Sequence, residues 1–240
     1  MTSPSPPAPA PPTVDFGRSF RFVVDDPDWI KKVLIGGAFT LASSFIIGAF
    51  FVAGYWVRLV KNVAAGQPRP LPEWDDLGGI FGDGLKMVGV YAVHVLAIMI
   101  VLGGLGCIGG LVVFGVGGLG RSSEQVSQAI GALGGLGFVG LYLLFVLFNL
   151  ALGLYLPSAL VRVAFRGEFK DGFDVRANLE FIRANLANYA LSLVFYLVAS
   201  FVAQFGFILC CVGVFPCAFW ALLILGYGLG ETVRLNPRSV

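Results

Sequence analysis

The sequence predicts an all-α, polytopic helical membrane protein, and three observations lead to this prediction. Of the 240 residues, 57% are hydrophobic and only 12% are charged, whereas an average soluble domain has about 25% charged residues. The mean hydropathy is +0.85. Four runs contain no Lys, Arg, Asp or Glu and exceed the roughly 20 apolar residues that a spanning helix needs. These runs are residues 33–57, 87–120, 125–161 and 184–230.

The apolar runs are continuous and lack the alternation that is typical of barrel strands. Unpaired backbone amides in hydrocarbon cost several kcal/mol each, so a segment inside a bilayer must satisfy its own hydrogen bonds. We therefore expect each run to be helical.

The two ends of the chain differ from the apolar middle. Residues 1–14 are rich in proline, and we expect a disordered tail there. This stretch lacks the basic and apolar regions of a cleaved signal peptide. Residues 15–235 are predicted to form a single integral membrane domain, and residues 236–240 a C-terminal tail.

The segment DPDWIKK before the first apolar run is typical of a helix that begins at a membrane surface. Asp26 can cap the helix, Pro27 fits its first position, and Trp29 suits the headgroup layer. The run ends in GYWVR, which has the same interfacial composition. Its aromatic and basic residues are Tyr55, Trp56 and Arg58.

Basic residues predict the topology. If each run crossed once, the positive charges would divide almost evenly between the two faces. If the first and last runs fold back near Ser43 and Ser44 and near residues 211–216, fifteen of the 16 basic residues face inward, and only Arg121 faces outward. We therefore expect about six membrane segments and cytoplasmic termini. Residues 33–57 are too few for two full crossings, so a re-entrant or short helical hairpin is expected there.

Two inner segments carry apolar residues at helical spacing, and we expect both to be interfacial amphipathic helices. In the first segment these residues are Leu77, Ile80, Phe81, Leu85 and Val88. In the second they are Val175, Leu179, Ile182, Leu186 and Tyr189.

A proline-rich segment, QPRPLPEWDD, precedes the first amphipathic stretch. Its repeated prolines predict an extended linker that follows the cytoplasmic surface and ends at Pro72. The carboxylates of Glu73, Asp75, Asp76 and Asp83 raise the possibility of a metal or acid-base site. Helix capping by Asp75 or Asp76 and a place for Asp83 on the polar helix face explain this group with fewer assumptions.

Three segments resemble the N-terminal signature of a prokaryotic integral membrane family, domain of unknown function 4013. They are DPDWIKKVLIGG, AGYWVRLVKNVAAG and PLPEWDDLGGIFGDGLK. The resemblance covers about residues 16–90 and continues loosely through residues 157–185. It implies a multi-pass membrane domain of bacteria and archaea. It brings no assigned reaction, so it implies no catalytic residue. The signature residues are Trp29, Tyr55, Trp56, Arg58, Pro72, Glu73, Trp74 and Asp75.

Three polar residues inside apolar runs are candidate functional residues. His94 is the one histidine of the sequence, and it could serve as a proton relay or ligand. The alternative is a structural histidine bonded to a neighbouring helix, because no acidic residue shares the apolar runs. Asn149 and Gln204 likewise suit either a substrate site or interhelical hydrogen bonds.

Glycine pairs at GxxxG spacing predict close helix packing. They are Gly106 and Gly110, Gly131 and Gly135, and Gly226 and Gly230.

The sequence favours a non-enzymatic protein without a catalytic residue, cofactor or metal. The letters GxGxxG at residues 115–120 follow an apolar run and not a strand, so they do not predict dinucleotide binding. No segment concentrates enough positive charge for nucleic acid. We expect a module of the prokaryotic cytoplasmic membrane that packs with the lipid bilayer, a partner membrane protein or a second copy. The alternative is a small-solute or lipid transporter or channel.

Overall fold

The computed structural model describes residues 13–118, 124–208 and 212–240. All regular structure in these ranges is helical, which confirms the predicted all-α class. The α-helices are α1 (Phe16–Arg21), α2 (Trp29–Ala42), α3 (Ile47–Ala64), α4 (Leu77–Gly118), α5 (Glu124–Arg166), α6 (Val175–Ala184), α7 (Leu186–Gln204) and α8 (Val214–Leu235). Short 3-10 turns lie at Ser43–Phe45, Phe169–Phe173, Phe205–Ile208 and Pro237–Ser239.

Four of these helices are long and apolar enough to cross a membrane, which indicates a membrane protein. The four stretches are Leu77–Val113, Gln128–Arg166, Leu186–Ile208 and Val214–Leu235. The proline-rich residues 1–12, the predicted outer loop around Arg121 and residues 209–211 lie outside the described residues.

The described chain divides into two compact units. One unit contains residues 13–88 and 158–240, and the other contains Gly89–Pro157. The long helices α4 and α5 each contribute to both units.

Helix α8 lies at the centre of the first unit, where it packs against α2, α3 and α7. Its apolar side chains are buried together with those of its neighbours. The largest buried core side chains include Tyr55, Leu59, Phe195, Phe219, Leu223 and Ile224. Burial of one such side chain contributes about 1.5–3 kcal/mol, so this core is the main source of stability for the unit.

Glycines of α8 allow close approach of two neighbouring helices. A Cβ atom at Gly226 would lie 2.9 Å from Nε1 of Trp56, and one at Gly228 would lie 2.6 Å from Oγ of Ser192. Gly226 and Gly230, one of the predicted glycine pairs, both face α3. The glycine between them faces α7, so α8 contacts two helices closely at the same level.

The first predicted amphipathic stretch is not a separate interfacial helix. Residues 77–88 are the first turns of α4, because no proline or tight turn interrupts the helix before the apolar run. Ile80 is fully buried, whereas Leu77 and Phe81 are exposed. The prediction that all these apolar residues face a bilayer is therefore wrong for Ile80.

The second predicted amphipathic stretch contains two helices. Helix α6 ends at Ala184, and Asn185 separates it from α7, which carries Leu186 and Tyr189. The Asn185 side chain donates a hydrogen bond to the carbonyl of Phe181. Tyr189 is buried in the first unit. A local side-chain bond thus marks the helix boundary.

Both described chain ends pack on the first unit. Val14, at the end of the predicted tail, is buried, and its amide donates a hydrogen bond to Oδ1 of Asn188 at 3.1 Å. Near the C-terminus, Nδ2 of Asn236 donates to Oδ1 of Asn185 at 3.1 Å.

The second unit is an antiparallel pair formed by parts of α4 and α5. A Cβ atom at Gly106 would lie 3.8 Å from Leu141, and one at Gly134 would lie 3.5 Å from Val113. Residue 106 of α4 thus lies beside residue 141 of α5, and residue 113 lies beside residue 134. The residue numbers of the two helices run in opposite directions, so the helices are antiparallel.

Candidate functional site

The signature segments meet at one place in the first unit, which we call the signature cluster. It joins the start of α2, the middle of α3, the proline-rich segment and the start of α4. Its members are Asp26, Lys32, Tyr55, Arg58, Asn62, residues 70–72, Glu73, Trp74, Asp76 and Asp83.

Lys32 is the buried centre of this cluster. Its ammonium nitrogen lies 2.8 Å from Asp26 and 2.6 Å from Glu73. It also donates to the carbonyl of Leu71 at 3.3 Å. Burial alone would lower the pKa of Lys32, but the hydrogen bonds to Asp26 and Glu73 raise it above its usual value. Asp28 is the residue that precedes α2, but its side chain makes no capping bond. Asp26 accepts from the backbone amide of Asp28 at 2.9 Å through one carboxylate oxygen, as a capping residue does, and binds Lys32 through the other.

Trp74 packs the proline-rich segment against α2 and α3. Its ring stacks on Tyr55 with centroids 4.3 Å apart and on Phe39 at 5.0 Å. Its indole nitrogen donates to the carbonyl of Lys32 at 3.0 Å. Burial of the apolar rings and satisfaction of the indole N–H act together here.

Three consecutive carbonyl groups of the proline-rich segment accept side-chain hydrogen bonds. Asn62 donates to Pro70, Lys32 to Leu71 and Tyr55 to Pro72. Residues 67–76 are not helical, as the prolines predicted. Residues 70–72 are buried, so this part is not a surface linker. Side chains of α2 and α3 satisfy the carbonyls that the extended backbone leaves open.

Arg58 connects α3 to the start of α4. Its Nη2 lies 2.7 Å from Asp76, and its Nε lies 2.9 Å from Asp83. The second oxygen of Asp76 accepts from the amide of Gly79 at 2.9 Å, so Asp76 caps α4. The hydrogen bond from Arg58 and that from Gly79 lower the pKa of Asp76.

The remaining signature residues have different environments. Trp56 is 7% exposed and Tyr55 is fully buried, so their aromatic rings do not form the outer surface of this chain. Trp29 is half-buried and packs against the core. Asp75 is exposed. The interfacial depth of these residues stays a prediction.

The structure does not bring the three polar candidates to one site. His94 is half-buried in the second unit; its Nδ1 lies 2.8 Å from the carbonyl of Val90, and its ring lies 5.6 Å from that of Tyr155. Asn149 is exposed and donates to the carbonyl of Phe145 at 2.8 Å. Gln204 is the exposed last residue of α7 in the first unit.

The predicted packing glycines of the second unit face open space, except for Gly106, which makes an ordinary van der Waals contact with Leu141. A Cβ atom at Gly110, Gly131 or Gly135 would meet no heavy atom within 4 Å. Sequence reasoning missed the tightest crossing, where a Cβ atom at Gly54 would overlap the carbonyl of Ile80. These two positions share no GxxxG pattern, and the available signal was that Gly54 is the first residue of the GYWVR segment.

Sequence reasoning also missed how Lys32, Asn62, Asp76 and Asp83 act together. The described ranges contain no group of three His, Cys, Asp or Glu side chains that could hold a metal ion. What the cluster can do is fasten the proline-rich segment to three helices through ion pairs, carbonyl bonds and stacked rings.

A comparison with protein families identifies the chain. The family described as protein of unknown function (DUF4013) matches residues 39–212, which is more than half of the chain. The chain belongs to the DUF4013 family. The matched range includes Tyr55, Arg58 and Trp74, so most of the signature cluster lies within the DUF4013 region. Asp26 and Lys32 precede it. A search of curated proteins and a search of solved structures found no match.

Proposed function

We propose that this DUF4013 protein is a non-enzymatic module of the prokaryotic cytoplasmic membrane that packs with lipid or with a partner membrane protein. The observation that carries the proposal is the apolar surface of α4 and α5. In each of these helices the most apolar 18-residue stretch contains no buried residue. A soluble monomer rarely exposes a contiguous apolar patch of this extent, whereas a bilayer covers it without cost.

Individual side chains support the same conclusion. Leu111, Leu136 and Phe138 are each at least 70% exposed in the second unit. Aliphatic and aromatic groups of this size favour hydrocarbon over water. We therefore place the second unit within the acyl chains.

The proposed topology has about six membrane segments and cytoplasmic termini. Helices α2 and α3 contain 14 and 18 residues. At 1.5 Å per residue they are about 21 and 27 Å long, less than the roughly 30 Å hydrocarbon core. Their length and the turn at Ser43–Phe45 support a short re-entrant hairpin. The four remaining segments are the long apolar helices.

Open glycine faces support a helical partner in the membrane. Gly110, Gly131 and Gly135 leave space beside α4 and α5 where another helix could approach closely. The partner in this proposal is a second copy or another membrane protein.

Fractionation and cysteine labelling test the proposal. The protein is expected to appear in the membrane fraction and to stay there after extraction with carbonate. In a background without native cysteines, Asp75→Cys is expected to react with an impermeant maleimide only from the cytoplasmic side, and Ser123→Cys only from outside. Asp75 is suitable because it is exposed and outside the bonds of the signature cluster. Reaction of both positions from the same side would overturn the topology.

Crosslinking in intact membranes tests the packing role. A cysteine at Gly135 is expected to crosslink reproducibly to a second copy or to one membrane protein, and a cysteine in the signature cluster is not. Solute flux through the purified protein in liposomes, reduced by His94→Ala, would instead support transport and contradict the module proposal.

A further inference from the structure

A pocket of about 420 Å³ in the first unit is lined by three arginines. This volume lies within the range of ligand pockets, about 300–1,000 Å³. Arg162 and Arg166 come from the end of α5, and Arg238 comes from the C-terminal turn at Pro237–Ser239. The charged side chains of the lining are Arg162, Arg166, Asp174, Glu180 and Arg238.

Arg162 is the residue that requires a ligand. It is 6% exposed, and its Nε atom is buried without a hydrogen-bond partner. Within the part of the chain that the structure describes, its guanidinium forms no ion pair. Arginine stays protonated in proteins, and a buried N–H of a guanidinium group without a partner is unfavourable. An anion in the pocket would remove this cost.

The carboxylates of the pocket are already bound elsewhere. Asp174 accepts a hydrogen bond from the amide of Ala177 at 3.0 Å, where it caps α6. Glu180 pairs with Arg176 at 3.0 Å. Within the described residues, neither carboxylate forms an ion pair with Arg162.

The spacing of the arginines leads to the same conclusion. Arg162 and Arg166 are four residues apart on α5, so they lie on one face of the helix. Like charges at this spacing repel each other and destabilise a helix. A shared anion between their guanidinium groups turns this repulsion into two favourable contacts.

Phosphate fits arginine groups well, because the planar guanidinium donates two parallel hydrogen bonds to phosphate oxygens. The apolar stretch of α5 ends at Arg166, next to the pocket. Basic pockets at the ends of membrane helices are suited to anionic headgroups. We infer that the pocket binds the phosphate group of an anionic phospholipid. The choice of a lipid rests on the proposed membrane location, whereas anion binding rests on Arg162.

The experiment measures binding to the full chain in a non-ionic detergent. The probes are short-chain phosphatidylglycerol, phosphatidylcholine of the same chain length, and inorganic phosphate. Native mass spectrometry measures the binding of each probe to the protein. Phosphatidylglycerol is expected to bind at least tenfold more tightly than phosphatidylcholine. Arg162→Gln is expected to weaken phosphatidylglycerol binding roughly tenfold to hundredfold, the effect of one charge-assisted hydrogen bond.

Two further variants make the test independent of folding defects. Arg238→Gln changes an exposed residue of the pocket, so the protein is expected to fold and to lose affinity. Arg183→Gln changes an exposed arginine of α6 outside the pocket, so its affinity is expected to be unchanged. Equal loss of affinity in the Arg183→Gln control would show general charge attraction and overturn the site.

The probes separate the possible outcomes. Unchanged phosphatidylglycerol binding in both Arg162→Gln and Arg238→Gln would overturn the inference. Binding of inorganic phosphate without phosphatidylglycerol would overturn the lipid assignment in favour of a soluble anion. Because binding is measured in detergent and membrane location in cells, failure of this site is distinguishable from failure of the proposed function.

Discussion

The ammonium nitrogen of Lys32 lies 2.8 Å from a carboxylate oxygen of Asp26, and both side chains are almost completely buried. The same ammonium group contacts Glu73 and the carbonyl of Leu71. One positive charge therefore joins the segment before α2 to the segment between α3 and α4. This arrangement explains why residues that are far apart in the sequence form one signature cluster.

Replacement of Lys32 is expected to destabilise the protein strongly. Lys32→Met would leave the carboxylate of Asp26 buried without its partner, and breaking a buried ion pair in this way costs about 3–5 kcal/mol. Thermal and chemical unfolding in detergent, followed by tryptophan fluorescence, measure the loss. Lys31→Met is the matched control, because the neighbouring Lys31 is exposed. Equal stability of the two variants would contradict the structural role of Lys32.

The hydroxyl of Tyr55 is expected to stabilise the proline-rich segment. Tyr55→Phe keeps the stacked ring but leaves the Pro72 carbonyl without its hydrogen bond of 2.9 Å. Loss of a partner for a buried polar group costs about 1–3 kcal/mol. The free energy of unfolding measures this change. Tyr91→Phe, at a tyrosine that is 51% exposed, is expected to change it by less than about 0.5 kcal/mol. A similar result for both variants would contradict the prediction.

Much of the fold could be predicted from composition and run length. Apolar runs of more than 20 residues require helices, and the structure has helices there. The sequence could not show that residues 77–88 continue into the apolar part of α4 as one helix. An amphipathic stretch and an apolar run have the same helical period, so the pattern does not show whether a break lies between them. Tertiary contacts distinguish the part of α4 inside the first unit, among them the packing of Ile80 beside Gly54 and the ion pair of Arg58 with Asp83.

The candidate site was less accessible to sequence reasoning. Its residues were recognisable as a family signature, but their contacts were not. The indole of Trp74 bonds to the backbone of Lys32, 42 positions away, and no local pattern encodes such a pair. In the sequence, Arg162 is one of the fifteen basic residues that are expected to face inward. The available signal for an anion site was the spacing of four residues between Arg162 and Arg166. The structure adds that Arg162 is buried, which the sequence does not show.

Acid is expected to weaken the contact between Arg58 and Asp76. The pKa of Asp76 is lowered in the folded protein, so the unfolded chain binds a proton at higher pH than the folded chain. The stabilising contribution is therefore present above the ordinary pKa of about 3.9 and is lost as the pH falls through the lowered value.

Unfolding temperatures between about pH 6 and pH 3 measure this effect. The difference between the wild type and Asp76→Asn is expected to shrink as the pH falls toward 3. Asp75→Asn is the control, because the adjacent Asp75 is exposed and outside the ion pairs of the cluster. A difference between the wild type and Asp76→Asn that stays constant across this range would contradict the prediction.

The crossing of α3 and α4 is expected to tolerate no side chain at Gly54. A Cβ atom there would overlap the carbonyl oxygen of Ile80, and one at Gly84 would overlap that of Phe50. Because the obstacles are backbone atoms, the helices themselves must separate, and overpacking of this kind costs about 1–3 kcal/mol or more. Gly82→Ala, on the same helix, meets no heavy atom within 4 Å and is expected to stabilise by about 0.5–1 kcal/mol through helix propensity. Free energies of unfolding of Gly54→Ala and Gly82→Ala therefore change in opposite directions, and a change of the same sign in both would show that the two helices do not cross at these glycines.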